Sequence, residues 1–280
     1  MGNTITHGLF FTILLVVFVR KYIVIDISII KYRKDNGMYY YNKFVDNSNA
    51  NFHIDMIKNQ NTLNIFSDAS MRSRSKNILD TCYGAVAVHI DTIVDERFRM
   101  CSESTVPAAE IRGIRCSLSL ALQYRYQFPV INIFSDSQIA LFGLRDYIYG
   151  WKFKSDGRLY SKSSTIVKNQ ELYVECFQLL NELRKTNIVN LYHQPGHVEN
   201  GLDSLKAAIN VFKTSNNIRG IVDYNTIRYI SLYNNYVDSK SRSFIRGINI
   251  YENIYTDPLI FYANPDTFNN SRNIPVKKKS

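Results

Sequence analysis

The stretch Val130-Ile131-Asn132-Ile133-Phe134-Ser135-Asp136 is a short, almost continuously apolar run that ends in an acidic residue. A run of this kind predicts a strand buried on both faces, which in turn requires helices on both sides of its sheet. A similar run, Leu63-Asn64-Ile65-Phe66-Ser67-Asp68, also ends in an aspartate, and a third run ends at His193. The sequence therefore predicts an α/β domain with polar side chains at the ends of its central strands.

The segments around these runs predict the rest of the fold. Two further β-prone segments follow the first run, which suggests an antiparallel meander. Apolar residues then recur at helical spacing after Pro107, a residue that suits the first turn of a helix. We expect strands over residues 63–67, 83–90, 97–102, 130–134 and 188–192, and helices beginning near Pro107, over 137–147, over 170–184 and near Asp203. This order describes a mixed five-stranded sheet, three antiparallel strands followed by two parallel additions, flanked by helices.

Four acidic residues and one histidine are the candidates for chemistry. Asp68 and Asp136 end two of the apolar runs, Glu110 lies in the first turns of a predicted helix, and Asp203 begins another helix ten residues after His193. Each acid alone fits an ordinary turn or helix-start residue. Together they can converge at one edge of the sheet, where carboxylate oxygens bind hard divalent cations such as Mg²⁺. The pattern favours metal-assisted phosphoryl chemistry over a Ser or Cys nucleophile.

This order of elements and acids resembles the type 1 ribonuclease H family over about residues 61–213. The segment His193-Gln-Pro-Gly-His-Val-Glu-Asn-Gly-Leu-Asp203 is similar to the histidine loop of that family and the acid that follows it. The Asp-Ser pair after the strand at 130–134 is similar to the third-acid motif, and the acids Asp68 and Glu110 stand where the family places its first two. The resemblance implies the ribonuclease H-like fold.

The resemblance also implies an activity and a role for each acid. The protein would hydrolyse the RNA strand of RNA–DNA hybrids with two Mg²⁺ ions, for which Mn²⁺ can substitute. Asp68 would bridge the two ions, Glu110 and Asp136 would complete the ligands of one, and Asp203 would hold the other. His193, on a mobile loop, would assist water activation or product departure through its near-neutral pKa.

The resemblance further implies a substrate-binding surface. Trp151, Lys152 and Lys154 lie in an aromatic and basic segment similar to the protrusion with which the family grips the DNA strand. Gln138 would contact the minor groove of the hybrid, where the 2′-hydroxyl distinguishes RNA from DNA. Asn200 is either a further substrate contact or a loop-shaping residue, and His197 is either a chemical or a loop-shaping residue.

Two departures from the family pattern bear on the substrate. The paired Asn residues that cellular members carry before the second acid are replaced by Val106-Pro107-Ala108-Ala109, and the glycine-rich stretch after the first acid is replaced by the cationic segment 71–76. Two alternatives to a hybrid-specific nuclease therefore stay open. One is a structure-specific DNase or resolvase-like nuclease of the same superfamily, and the other is a catalytically silent nucleic-acid-binding module.

The composition favours a polyanionic partner. The chain of 280 residues carries 34 basic and 24 acidic residues, a formal net charge of +10. Such an excess favours nucleic acid or an anionic membrane face as the partner, and a generally basic protein without a dedicated binding face is the alternative. The resemblance implies that the nucleic acid is an RNA–DNA hybrid. The sequence offers no obvious protein partner. The four cysteines show no zinc-ligand spacing and are interpreted as reduced core residues.

The N-terminus predicts membrane association. Residues 8–19 are almost entirely apolar, and Arg20-Lys21 follow at once. Positive charge after the apolar run predicts an anchor that leaves the catalytic domain facing the cytosol. The start of the chain also fits the myristoylation pattern at Gly2, and a buried N-terminal helix is the third interpretation. If no anchor forms, we expect a cytoplasmic protein.

The texture of the sequence divides the chain into four parts. Residues 1–22 are predicted to be the hydrophobic anchor and residues 23–60 a polar tether. Residues 61–213 are predicted to form the catalytic domain. Residues 214–280 are a C-terminal extension whose role the sequence does not decide.

Overall fold

Five strands form one mixed sheet in the computed structural model of the protein, which describes residues 51–75, 78–103, 105–196, 198 and 201–246. The strands are Thr62–Ser75 (β1), Ile78–His89 (β2), Thr92–Glu103 (β3), Val130–Ser135 (β4) and Ile188–His193 (β7). Strands β5 and β6 lie outside this sheet. Their order in the sheet is β3-β2-β1-β4-β7. The first three strands pair antiparallel, whereas β4 pairs parallel to β1 and β7 parallel to β4. The predicted ribonuclease H-like mixed sheet is confirmed.

Helices cover both faces of this sheet. Val106–Tyr124 (α2) begins at a capping residue, Thr105, whose hydroxyl accepts a hydrogen bond from the Ala108 N–H at 3.3 Å. The helices in chain order are Ile54–Ile57 (α1), α2, Gln138–Phe142 (α3), Gln170–Arg184 (α4), Leu202–Ser215 (α5) and Tyr224–Ile245 (α6). A π-helical turn and a 3₁₀ turn follow α3, and the short strands Lys152–Phe153 (β5) and Leu159–Tyr160 (β6) form a small hairpin.

Strand alternation divides the core into two layers. Leu63 and Ile65 point to the layer formed with α2, α3 and α4, whereas Phe66 points to the opposite layer formed with α1, α5 and α6. In the second layer the Phe66 ring stacks on Phe134 of β4 at 4.9 Å and on Tyr233 of α6 at 5.4 Å between ring centroids. The odd and even residues of β1 therefore face different groups of helices.

A row of three asparagines, two buried and one half-buried, fixes the register of the parallel strands. Asn64, Asn132 and Asn190 lie opposite one another on β1, β4 and β7. The Asn190 amide donates to Asn132 Oδ1 at 2.9 Å, and the Asn132 amide donates to Asn64 Oδ1 at 3.0 Å. A shift of one residue would break both bonds and turn apolar side chains to the wrong face. The row therefore keeps β1 and β4 in the register that places Ser67 opposite Ser135.

We expect Asn132→Ala to lower the free energy of unfolding by about 2–3 kcal/mol, because it leaves the buried Asn64 Oδ1 and the half-buried Asn190 amide without these partners. Urea denaturation followed by circular dichroism measures the change. Asn235→Ala is the matched control, since Asn235 is exposed on α6. Equal stability of the two variants would contradict a structural role for the row.

The segments outside residues 61–213 also pack on the sheet where the structure describes them. Phe52 is buried and its N–H donates to the Ile221 carbonyl at 2.7 Å. Helix α6 packs on β1 and β2 and is capped by Asp223, which accepts from the Thr226 N–H. The fourfold division of the chain stays a prediction, and the described part of the C-terminal extension shares the core of the sheet.

The prediction of a membrane location is wrong for the described part of the chain. No helix among residues 51–246, with the gaps given above, is both long and apolar enough to cross a membrane. The apolar segment 8–19 and Gly2, on which the predictions of an anchor and of lipidation depend, lie outside the described residues.

Candidate metal centre

The ends of two parallel strands position the first two carboxylates. The pairing of β1 with β4 ends at Ser67 and Ser135. Asp68 and Asp136 are the residues that follow these two in the chain. Beyond this point β4 stops, while β1 continues to Ser75 through its pairing with β2, where Asp68 lies opposite Gly84. Because β4 ends here, a gap lies beside the part of β1 that continues. Both carboxylates lie at this gap.

Helix α2 brings a third carboxylate to the gap. Gly113 packs directly over β1, where an added Cβ would lie 3.4 Å from the Asp68 carbonyl oxygen. This distance is an ordinary van der Waals contact, so the helix lies close against the strand. Glu110 lies almost one helical turn before Gly113 and therefore reaches the same gap.

The three carboxylates form one group. Oxygen atoms of Asp68, Glu110 and Asp136 all lie within 4.8 Å of one another. They line a cavity of about 590 Å³ together with residues from β1 and α6. The other lining residues are Ala69, Ser70, Met71, Arg72, Asp238, Arg242, Ile245 and Arg246.

Burial and mutual repulsion raise the pKa of two of these groups. The pKa of Asp68 rises to about 7, first because the carboxyl is buried and then because Asp136 and Asp238 add negative charge beside it. The pKa of Glu110 rises to about 9, again through burial first and through Asp68 and Asp136 second. In the metal-free protein the site therefore holds protons at neutral pH.

The donor set fits a hard divalent cation. Glu110 Oε2 is buried and has no hydrogen-bond partner among the described residues. A buried carboxylate oxygen without a partner costs free energy, and a cation in the gap would remove that cost. Three carboxylates supply oxygen ligands only, which is the chemistry that Mg²⁺ and Mn²⁺ prefer. The residues present can therefore hold the metal that the sequence predicts.

His193 was expected on a mobile loop. It lies at this site, but as the buried last residue of β7. Its Nε2–H donates to the Asp136 carbonyl at 3.1 Å, and its backbone is held on both sides by the Asn216 amide. Burial lowers the pKa of His193, so the ring is neutral at pH 7. Gly196, three residues later, lies close to Asp136, since an added Cβ would lie 2.9 Å from its Oδ2. In this structure His193 positions Asp136.

Asp203 does not join the three carboxylates. It lies in the first turn of α5 with a fully exposed side chain, 3.8 Å from the ammonium group of Lys206. Its predicted role as a metal ligand stays a prediction.

An acid that the sequence reasoning missed lies at the site instead. Asp238 of α6 lines the cavity and is close enough to Asp68 for a hydrogen bond between the two carboxyl groups. Its Oδ1 accepts from the Ser70 hydroxyl at 3.4 Å. The apolar spacing of Ile227, Ile230 and Val237 could have predicted α6, but nothing in the sequence indicates which strand the helix covers.

Some of the predicted substrate contacts are exposed, one is buried, and others lie outside the described residues. Gln138 is exposed at the start of α3, and Lys152 is exposed on β5. Lys154 follows β5 and lies 4.1 Å from the centroid of the Tyr160 ring. Trp151 is buried in the core, where its ring meets Tyr173 edge-on at 4.9 Å. Asn200 and His197 lie outside the described residues.

Comparisons with known proteins agree with this fold. A family model described as RNase H matches residues 60–209, more than half of the chain. No curated protein matches the sequence.

Three solved structures are among those similar to this chain. The N-terminal RNase H domain of rv2228c from Mycobacterium tuberculosis, solved as a fusion with maltose-binding protein, is 20% identical with a TM-score of 0.35, over 48% of this chain and 87% of that chain. The RNase H domain of PFV is 14% identical with a TM-score of 0.38, over 60% of this chain and 99% of that chain. The foamy viral protease–reverse transcriptase in complex with an RNA/DNA hybrid is 12% identical with a TM-score of 0.38, over 57% of this chain and 20% of that chain.

Proposed function

The chain belongs to the RNase H family, and from that premise we propose that it is a metal-dependent endonuclease that hydrolyses the RNA strand of RNA–DNA hybrids. The observation that carries the proposal is the group formed by Asp68, Glu110 and Asp136 at the gap between β1 and β4. Three converging acids, one buried and two half-buried, are costly to a fold unless they bind something positive.

The carboxylates would act as ligands for the cations. Asp68 lies beside Glu110 and Asp136 and would hold the cations together with them. When bound, two divalent cations would supply activation of the attacking water and stabilisation of the leaving 3′ oxygen of the cleaved strand. Neutral His193 would hold the Asp136 backbone in place through its hydrogen bond to the carbonyl. The reaction then needs no protein nucleophile.

Cationic side chains around the cavity would bind the phosphates of the substrate. Arg72, Arg242 and Arg246 line the cavity beside the carboxylates. Arg guanidinium groups bind phosphate oxygens in a bidentate manner, which suits the strand that enters the site. Lys152 and Lys154 on and beside the small hairpin would contact the backbone of the second strand.

A comparison of substrates tests the proposed specificity. We expect an RNA–DNA hybrid to be cut in its RNA strand at least about tenfold faster than single-stranded RNA, double-stranded DNA or branched DNA of the same sequence, because the 2′-hydroxyl and the hybrid backbone distinguish it. Gel separation of end-labelled strands in Mg²⁺ measures the rates. Faster cleavage of branched or double-stranded DNA would assign the site to a structure-specific DNase instead.

A further inference from the structure

We propose that Asp238 of helix α6 is a ligand of the metal centre and supplies the carboxylate that faces Asp68 from the side opposite Glu110. The proposal rests on the proposed metal-dependent function and adds to it a residue beyond the segment 60–209 that the family model matches. It also assigns a role to the C-terminal extension, which would complete the site.

Strand alternation explains why a residue of α6 can reach Asp68. One face of β1 carries every second residue of the strand, here Asn64, Phe66, Asp68 and Ser70. Phe66 on this face packs in the layer that contains α6. Asp68 therefore points towards α6, while Glu110 reaches it from α2 on the other side of the sheet.

Helix α6 follows β1 along this face in the same direction. The Tyr229 hydroxyl accepts a hydrogen bond from Asn64 at 3.3 Å, the Tyr233 ring stacks on Phe66, and Asp238 accepts from Ser70. These three contacts advance along the helix and along the strand together. The position of Asp238 is thus set by packed contacts along the helix and does not depend on a surface loop.

The arrangement around Asp68 has two sides. Glu110 and Asp136 lie close to Asp68 and to each other, and Asp238 meets Asp68 from the α6 side. A central carboxylate with acids on two sides suits a pair of cations that share it. The side chain of Asp238 is 16% exposed, whereas that of Asp203 is fully exposed and lies beside Lys206. Asp238 is the better-placed acid of the two.

Arg242 holds Asp238 in the metal-free protein. Its Nη2 lies 2.7 Å from Asp238 Oδ2 in an ion pair one turn apart on α6. A cation bound between Asp68 and Asp238 would compete with this guanidinium for the same carboxylate. Removing Arg242 should therefore favour the metal, and removing the Asp238 carboxylate should weaken its binding.

Titration of the purified full chain with Mn²⁺ tests the proposal, with free Mn²⁺ read by electron paramagnetic resonance in the absence of nucleic acid. We expect Asp238→Asn to lower the Mn²⁺ affinity about tenfold or more, as loss of a ligand or its immediate support does. Arg242→Gln should leave the affinity unchanged or raise it. Asp55→Asn, an exposed acid on α1, is the matched control and should bind like the wild type. Thermal melting of each variant shows that it is folded.

The outcomes separate this inference from the proposed function. If the wild-type protein binds no Mn²⁺, the proposed function fails together with the inference. If Asp68→Asn loses binding while Asp238→Asn binds like the wild type, only the inference fails. Weaker binding in Asp203→Asn and not in Asp238→Asn would identify Asp203 as the ligand. Equal losses in Asp238→Asn and Arg242→Gln would show that the ion pair acts by holding α6, which would also overturn the inference.

Discussion

Asp68→Asn is expected to abolish binding of divalent cations and to lower strand hydrolysis at least ~1,000-fold, which corresponds to about 4 kcal/mol of transition-state stabilisation. Asp68 is the one acid that lies beside Glu110, Asp136 and Asp238 at the same time among the described residues. An amide of the same shape keeps the fold but removes the charge that the proposed cation site requires. Calorimetric titration with Mg²⁺ and a hydrolysis assay measure the two losses.

The control for this prediction separates loss of the site from loss of the fold. Asp55→Asn removes an exposed acid from α1 and should bind metal and hydrolyse like the wild type. The Asp68→Asn protein should melt at or above the temperature of the metal-free wild type, because the substitution relieves repulsion among buried acids. Metal affinity that survives the substitution would show that the cations bind elsewhere.

Glu110→Gln is expected to stabilise the metal-free protein by about 4 kcal/mol at pH 8 while it weakens metal binding. The pKa of Glu110 rises from 4.5 to about 9 on folding, so the folded state binds a proton that the unfolded state has released. This difference destabilises the wild type as the pH rises through 4.5, and the penalty reaches its full size above about 9. Glutamine carries no charge at any pH and avoids the penalty.

The sign of this effect is tested by urea unfolding in EDTA at pH 4.5 and at pH 8. The gap between Glu110→Gln and the wild type should be small at the lower pH and large at the higher. Glu171→Gln, at an exposed acid in the first turn of α4, should show no such dependence. A Glu110→Gln protein that is less stable than the wild type at pH 8 would contradict the account of the buried acids.

The central strands were predictable because their signal is local. The apolar runs before Asp68 and Asp136 and the run before His193 indicated three of the five strands and the acids at their ends. The sequence underestimated β1, which was expected to end at Ser67 and continues to Ser75. The additional residues are mostly polar and are held by antiparallel pairing with β2, the next strand of the chain, so no apolar pattern marks them in the sequence.

The path of the helix that approaches the site from the C-terminal extension was not predictable from the sequence. The inward face of α6 carries tyrosines as well as aliphatic residues, and their spacing indicates a helix but not the strand that it covers. Even a correct helix over Tyr224–Ile245 would not have placed Asp238, because that placement depends on the path of α6 along β1. The exposed position of Asp203 likewise depends on tertiary packing and not on its spacing from His193.

Cleavage of an RNA–DNA hybrid labelled on both strands tests the central claim most directly. In Mg²⁺ the wild-type protein and Asp55→Asn should cut the RNA strand and leave the DNA strand intact, and EDTA should stop the reaction. Asp68→Asn and Asp136→Asn should leave both strands intact under the same conditions. Cleavage of the RNA strand at the wild-type rate by both variants, or none by a wild-type protein that binds the metal, would contradict the claim.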